Sequence, residues 1–285
     1  MSIDAAFFDA VCAALEPRAA EWLHNSLHSV VTANNTSAAL LAASVPARRE
    51  CGDELAQQRG LACPAHWTLS DAARIALLEH GLAKLEHEGR AKALKDFYRG
   101  GDEHEKAALL KGLCWLDPKG LAVQTAIQAC RYNSLEVFRA VALHNPYPAS
   151  HFAEINWNQL VLKSLFQNLD IAAIHDLDTR LNPKLSVMCA DYAEEQGLAE
   201  RSAPPSLWLA VRLQDLDDNA AEQALNRNLQ HPDGRQRHAI ADCARRSVLS
   251  SRLRRHCRDS AGAQNDADLR QTLLHCADGA HDTDR

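Results

Sequence analysis

The residues best suited to chemistry lie between positions 145 and 192. They run Asn145-Pro146-Tyr147-Pro148, then Asn156-Trp157-Asn158-Gln159, then Asp176-Leu177-Asp178-Thr179-Arg180-Leu181-Asn182-Pro183, and finally Asp191-Tyr192. Amides, aromatics and charges here interrupt segments with the apolar spacing of helix core. Polar groups taken out of water need partners, so the stretch is either a hydrogen-bond network that shapes the fold or the wall of a site. On a helical wheel, Asn156, Gln159, Lys163 and Gln167 share a solvent arc. Ile155, Val161, Leu162, Leu165 and Phe166 cover much of the remainder, and Glu154 and Asn158 point among them. An inward carboxylate with an amide one turn later asks for backbone groups, an arginine or a ligand. Asp178 and Arg180 stand before Asn182, placed to pair with each other or to clamp an anion, although charges at a helix entrance also serve capping and solvation. Tyr192 continues the apolar line of Leu185, Met188 and Cys189, and Asp191 falls off it.

Other candidates are thinner. Phe97-Tyr98-Arg99-Gly100-Gly101-Asp102 is a diglycine turn into a helix, able to offer amides to an anion beside Arg99 or simply to reverse the chain. His24 and His28 have chelating helical spacing but no third ligand, so no metal and no cofactor are expected. Nucleophile elbows, phosphate loops and dinucleotide fingerprints are absent, and no catalytic residue is assigned. An enzyme reading would need Glu154 or Asp178 as general base with Tyr192 or Lys163 as acid.

The elements that must hold these residues are helices. The 285 residues are rich in Ala and Leu, and strand-forming residues rarely cluster. The chain therefore reads as all-α, an irregular α-solenoid (HEAT-like) of about a dozen or more helices. Helix starts are expected at Ser70, Asp102, Asp117-Pro118, Ser134 and Asn182-Pro183, with Gly197 as a left-handed stop. The segment 46–67 reads as a long irregular connection, Asn145-Pro146-Tyr147-Pro148 as a break, and the tail after Ala277 as frayed. A faint echo relates Asp117-Pro118-Lys119-Gly120 to His231-Pro232-Asp233-Gly234.

Nine cysteines, an odd number with no Cys-x-x-Cys pair, suit reduced core thiols. The net charge of −6 argues against nucleic-acid binding, although eight arginines crowd 235–258 and acids dominate 259–285. No aromatic follows Trp208, so that basic stretch lacks the rings a single-strand reader stacks on; it reads as a solvated face. No apolar run reaches the ~20 residues of a membrane span, and the first residues do not resemble a signal peptide, so a cytoplasmic location is expected.

Tyr98-Arg99-Gly100-Gly101-Asp102, Gly112-Leu113 with Trp115-Leu116, Asn145-Pro146-Tyr147, the run from Asn156 to Lys163, the turn from Leu177 to Pro183, and Asp191-Tyr192-Ala193 together resemble the EboA family. The resemblance covers about 97–208, giving an expected division into 1–96, an EboA-like core 97–208, and a C-terminal arginine-rich part 209–285 with an acidic tail. It implies a component of a bacterial cluster that moves or processes secondary-metabolite precursors beside a prenyltransferase, a hydrolase-like protein, a dehydroquinate-synthase-like enzyme and a sugar-isomerase-like barrel. It brings no catalytic residues. The leading expectation is a non-enzymatic binding protein for a small-molecule metabolite or its carrier. Its candidate ligand contacts are Arg99, Glu154, Asn156, Trp157, Asn158, Lys163, Asp178, Arg180, Asp191 and Tyr192. The alternative is a scaffold for biosynthetic enzymes.

Overall fold

The computed structural model describes residues 5–279 and confirms an all-α chain: among them are sixteen α-helices, five short 3-10 segments and no strand. The expectation of a frayed tail rests partly on residues outside that range. Two compact units, Met1–Ala153 and Glu154–Arg285, divide the chain.

The first unit contains α1 (Ala5–Ala14), α2 (Pro17–Thr32), α3 (Thr36–Ser44), α4 (Ala47–Cys51), α5 (Leu69–Ala83), α6 (His87–Gly100), α7 (Glu103–Leu116), α8 (Val123–Arg131), α9 (Leu135–Ala142) and α10 (Pro146–His151). Its axis is α5, which buries Ser70, Asp71 and Arg74 along with its apolar residues. Such a helix must bring partners for its charges. Asp71 receives Lys111 of α7 at 2.6 Å. Arg74 donates to the Ser44 carbonyl, and the Ser44 hydroxyl donates to Glu105 at 2.6 Å. These bonds tie α3, α5 and α7 together. Gly112 permits the closeness of α5 and α7, since a Cβ there would sit 2.9 Å from Ile75.

Several starts are where capping chemistry puts them. Asp102 and Ser134 accept from the N3 amides of α7 and α9. The cap of α5 is Thr68 in a capping box with Asp71, so the expected start at Ser70 lies inside the helix. Asp117-Pro118 does not open a helix. The buried Asp117 carboxylate accepts from the amides of Leu121 and Ala122 and from the Tyr147 hydroxyl, which makes the segment a turn, and α8 begins at Val123. The 46–67 connection contains α4 and the 3-10 turn Ala56–Arg59, and the expected break at Asn145 caps the short α10.

The second unit contains α11 (Glu154–Phe166), α12 (Pro183–Leu198), α13 (Asp218–Leu229), α14 (Gly234–Arg246), α15 (Ser251–Gly262) and α16 (Ala267–Asp278). Here α14 packs on α13 and α16, and α15 on α13 and α16. Gly197 lies within α12, and the left-handed residue beyond it is Glu200 at φ 55°, a correction to the expected glycine stop. No described helix is long and apolar enough to cross a membrane.

One half-buried imidazole gives this fold a pH dependence. His66 stacks on His144, with ring centroids 5.4 Å apart. Burial, then the charge of Lys111, lowers its pKa from 6.5 to about 4. The unfolded chain therefore binds the proton more readily, and stability falls as pH drops from 6.5 toward 4. Urea midpoints measured across that window should fall less steeply for His66→Phe, which keeps an aromatic stack and removes the titration.

Candidate functional site

Four of the expected site residues on the second unit, Glu154, Trp157, Asn158 and Arg180, gather where α11 meets the start of α12. Asn182 is the N-cap of α12 and Pro183 its first residue, a pairing that fixes the entry of that helix. The Asn182 side-chain oxygen accepts from the Leu185 amide at 3.0 Å and from Asn158 Nδ2 at 3.1 Å. Its own Nδ2 donates to Asn158 Oδ1 at 2.9 Å and to the Arg180 carbonyl at 3.2 Å. Every donor and acceptor position of the Asn182 amide is thus engaged. Asn158 is buried as its wheel position requires, and the partner it needed is a second amide.

Next to that pair stands Trp157, fully buried on α11. The guanidinium of Arg180, at the end of the 3-10 turn Asp178–Arg180, lies 4.8 Å from the indole centroid. A cation over an indole face is worth about 0.5–2 kcal/mol, and it holds the guanidinium in one place. The Trp157 indole N–H is buried and has no hydrogen-bond partner among the described residues. An orphaned buried donor costs about 1–3 kcal/mol; the Trp67 indole and the Tyr98 hydroxyl, the latter with Lys106 over its ring, share the condition.

The remaining candidates separate by exposure. Glu154 does not point into the core: it is half-exposed and meets Lys184 at 3.2 Å. Ile155 and Phe166, expected to be buried, are 66% and 60% exposed. Burial of α11 runs along Trp157, Leu160, Val161, Ser164 and Leu165, so the covered face is rotated from the arc the wheel suggested. Asn156 and Lys163 are half-buried, and Asp178 and Asp191 are exposed. Tyr192 packs edge-on against Phe166 with centroids 4.7 Å apart, which keeps it a packing residue at the surface. Asp191 borders a cavity of about 40 Å³ with Trp208 and Arg227, about enough for one water. Arg99 belongs to the first unit, exposed near the end of α6. The diglycine turn beside it uses its own amides: Gly101 N–H donates to Phe97 and Asp102 N–H to Glu105. It reverses the chain and, at Gly100, allows the approach of Leu41.

The arginine-rich stretch neutralises itself locally. Arg235 pairs with Asp233, Arg252 with Glu222, Arg245 with Asp242 and Arg258 with Asp278. Arg246 donates to the Trp208 carbonyl and Arg237 to the His231 carbonyl. Four of the eight arginines are thus on acids and two on carbonyls, while Arg254 Nε has no partner among the described residues.

Sequence reasoning missed Lys184 as the partner of Glu154 and gave Asn182 only its capping role. A capping asparagine and an inward amide on the preceding helix were both readable; their pairing was a matter of tertiary distance. Replacing Asn182 with Ala strands the buried Asn158 amide and removes a helix cap, so unfolding free energy should fall by about 2–3 kcal/mol. In urea unfolding the double variant with Asn158→Ala should cost clearly less than the sum of the two single changes.

The family described as metabolite traffic protein EboA matches residues 6–212. Neither curated proteins nor solved structures gave a match. The matched span starts well before the residues that carry the resemblance and takes in α1 through the 3-10 segment Pro205–Ala210. The chain belongs to the EboA family.

Proposed function

We propose that this protein acts in metabolite traffic as a non-catalytic carrier. It holds a secondary-metabolite precursor, free or on its carrier, and works with biosynthetic enzymes. The family description supports the traffic role. The observation that carries the binding reading is the half-buried Arg180 guanidinium seated on the Trp157 ring, with its backbone carbonyl held by Asn182. A cation fixed in this way suits a carboxylate or phosphate of the metabolite. Asn158 holds its neighbour Trp157 in place through Asn182, while Asn156, Lys163 and Asp178 border the contact and Glu154, Asp191 and Tyr192 serve as outlying contacts. The functional core is then 97–208, and the alternating neighbours α5–α7–α9 suit a HEAT-like array.

A scaffold role for cluster enzymes draws on one specific feature. Ile155, Phe166 and Leu198, the last 75% exposed, leave apolar side chains in water on α11 and α12. The enzyme reading is less favoured, because Glu154 is an exposed carboxylate held by Lys184 and Asp178 is exposed too.

Native mass spectrometry of the protein after incubation with a small-molecule extract of its source cells tests the proposal. A retained anionic adduct is expected, weakened about tenfold or more in Arg180→Ala with little change in melting temperature. No adduct, or one indifferent to Arg180, would overturn it.

A further inference from the structure

A cleft of about 530 Å³ opens on the first unit between α2, α3 and the start of α4. Its two sides have matching helical spacing. On α2 the lining face is Trp22, Asn25, Ser26 and Ser29; on α3 it is Ala39, Ala42 and Ala43, continued by Pro46. The void has a sequence cause. The adjoining face of α3, Thr36, Leu40 and Ser44, is buried. Leu40 lies so close to α5 that a Cβ on Gly81 would sit 2.8 Å from it. With that face seated against α5, α3 turns Ala39, Ala42 and Ala43 to the cleft, and their short side chains leave it open.

The rim carries a definite charge pattern. Arg18, Glu21 and Glu50 line it. Glu50 is committed to Arg49 at 3.0 Å and Arg18 at 3.7 Å. Glu21 has no ion pair or hydrogen bond among the described residues, and neither do the side chains of Asn25 and Ser26. Trp22 is half-buried and presents an indole to the cleft rather than to the core. With Arg49 on Glu50 the charges about the rim balance, and the group left without a partner among the described residues is the Glu21 carboxylate, which favours a cation over an anion.

We propose that this cleft is a second ligand site, separate from the Arg180 contact, and that it takes a small aromatic amine. The ring lies on the alanine floor against Trp22, the ammonium meets Glu21, and Asn25 and Ser26 satisfy a hydroxyl or carbonyl substituent. The volume is within the range of small-molecule sites, about 300–1,000 Å³. An ammonium beside an indole and a carboxylate gains from both. The site thus differs from the Trp157–Arg180 contact in the sign of the ligand it accepts.

The test is an NMR titration of the full chain with 2-phenylethylamine, using 3-phenylpropanoate as the charge-reversed control and the Trp22 indole signal as reporter. Saturable shifts are expected for the amine, with binding at least about tenfold weaker for the acid and for Glu21→Gln. Ala42→Leu fills the cleft from an exposed helical position and should abolish binding while leaving the melting temperature near that of the parent. Arg180→Ala should leave the amine titration unchanged, so this result stands apart from that of the traffic reading. Absence of a saturable shift, equal binding of the acid, or full binding by Ala42→Leu overturns the proposal.

Discussion

The reciprocal amide bonds between Asn158 and Asn182 are the constraint on which the second unit's candidate site depends. Each supplies what the other lacks, and Asn182 spends its remaining valences on the first turn of α12 and on the Arg180 carbonyl. One side chain therefore sets the start of a helix, its distance from α11 and the position of Arg180. With the backbone of Arg180 held, its guanidinium settles on Trp157. An arginine on an unconstrained loop would keep most of its rotamer freedom and lose it on binding. Here part of that loss is already taken in folding, which favours recognition of a fixed anionic group.

The same network explains why a polar stretch is tolerated in a helical core. Asn145, Asp117 and Tyr147 form a comparable set in the first unit: the Asn145 amide donates to the Leu110 and Ala140 carbonyls, and Tyr147 donates to Asp117. Burial, then that hydrogen bond, moves the Tyr147 hydroxyl well above its ordinary pKa, as befits a structural donor. The part of the 145–192 stretch in the first unit is thus spent on architecture. In the second unit two buried donors, the Trp157 indole N–H and Arg254 Nε, have no hydrogen-bond partner among the described residues.

Much of the fold was legible in the sequence because its information is local. Caps at Asp102, Ser134 and Asn182 follow from side chains that reach only three residues ahead. The all-α class follows from composition and spacing. What failed was tertiary. Asp117-Pro118 has the residues of a helix start, but a carboxylate shared among two amides and Tyr147 makes a turn. Glu154 and Phe166 were assigned inward because a helical wheel gives relative angles and not which side a neighbour covers. The α2–α3 cleft was invisible because its signal is the shortness of Ala39, Ala42 and Ala43, and alanine in a helix ordinarily says nothing more than helix. The family resemblance behaved similarly: its distinctive residues cluster after position 97, while the match extends to residue 6 through helices of common residues.

The candidate site leans on one contact: the Arg180 guanidinium on the buried ring of Trp157. The Trp157 indole signal in a two-dimensional nitrogen–proton spectrum, which reports on the charge above its ring, followed as metabolite extract is added, is the most direct measurement. A selective shift at Trp157 is expected, with the buried indole of Trp208 unmoved. A Trp157 signal that stays fixed while an extract component binds elsewhere on the chain would contradict it.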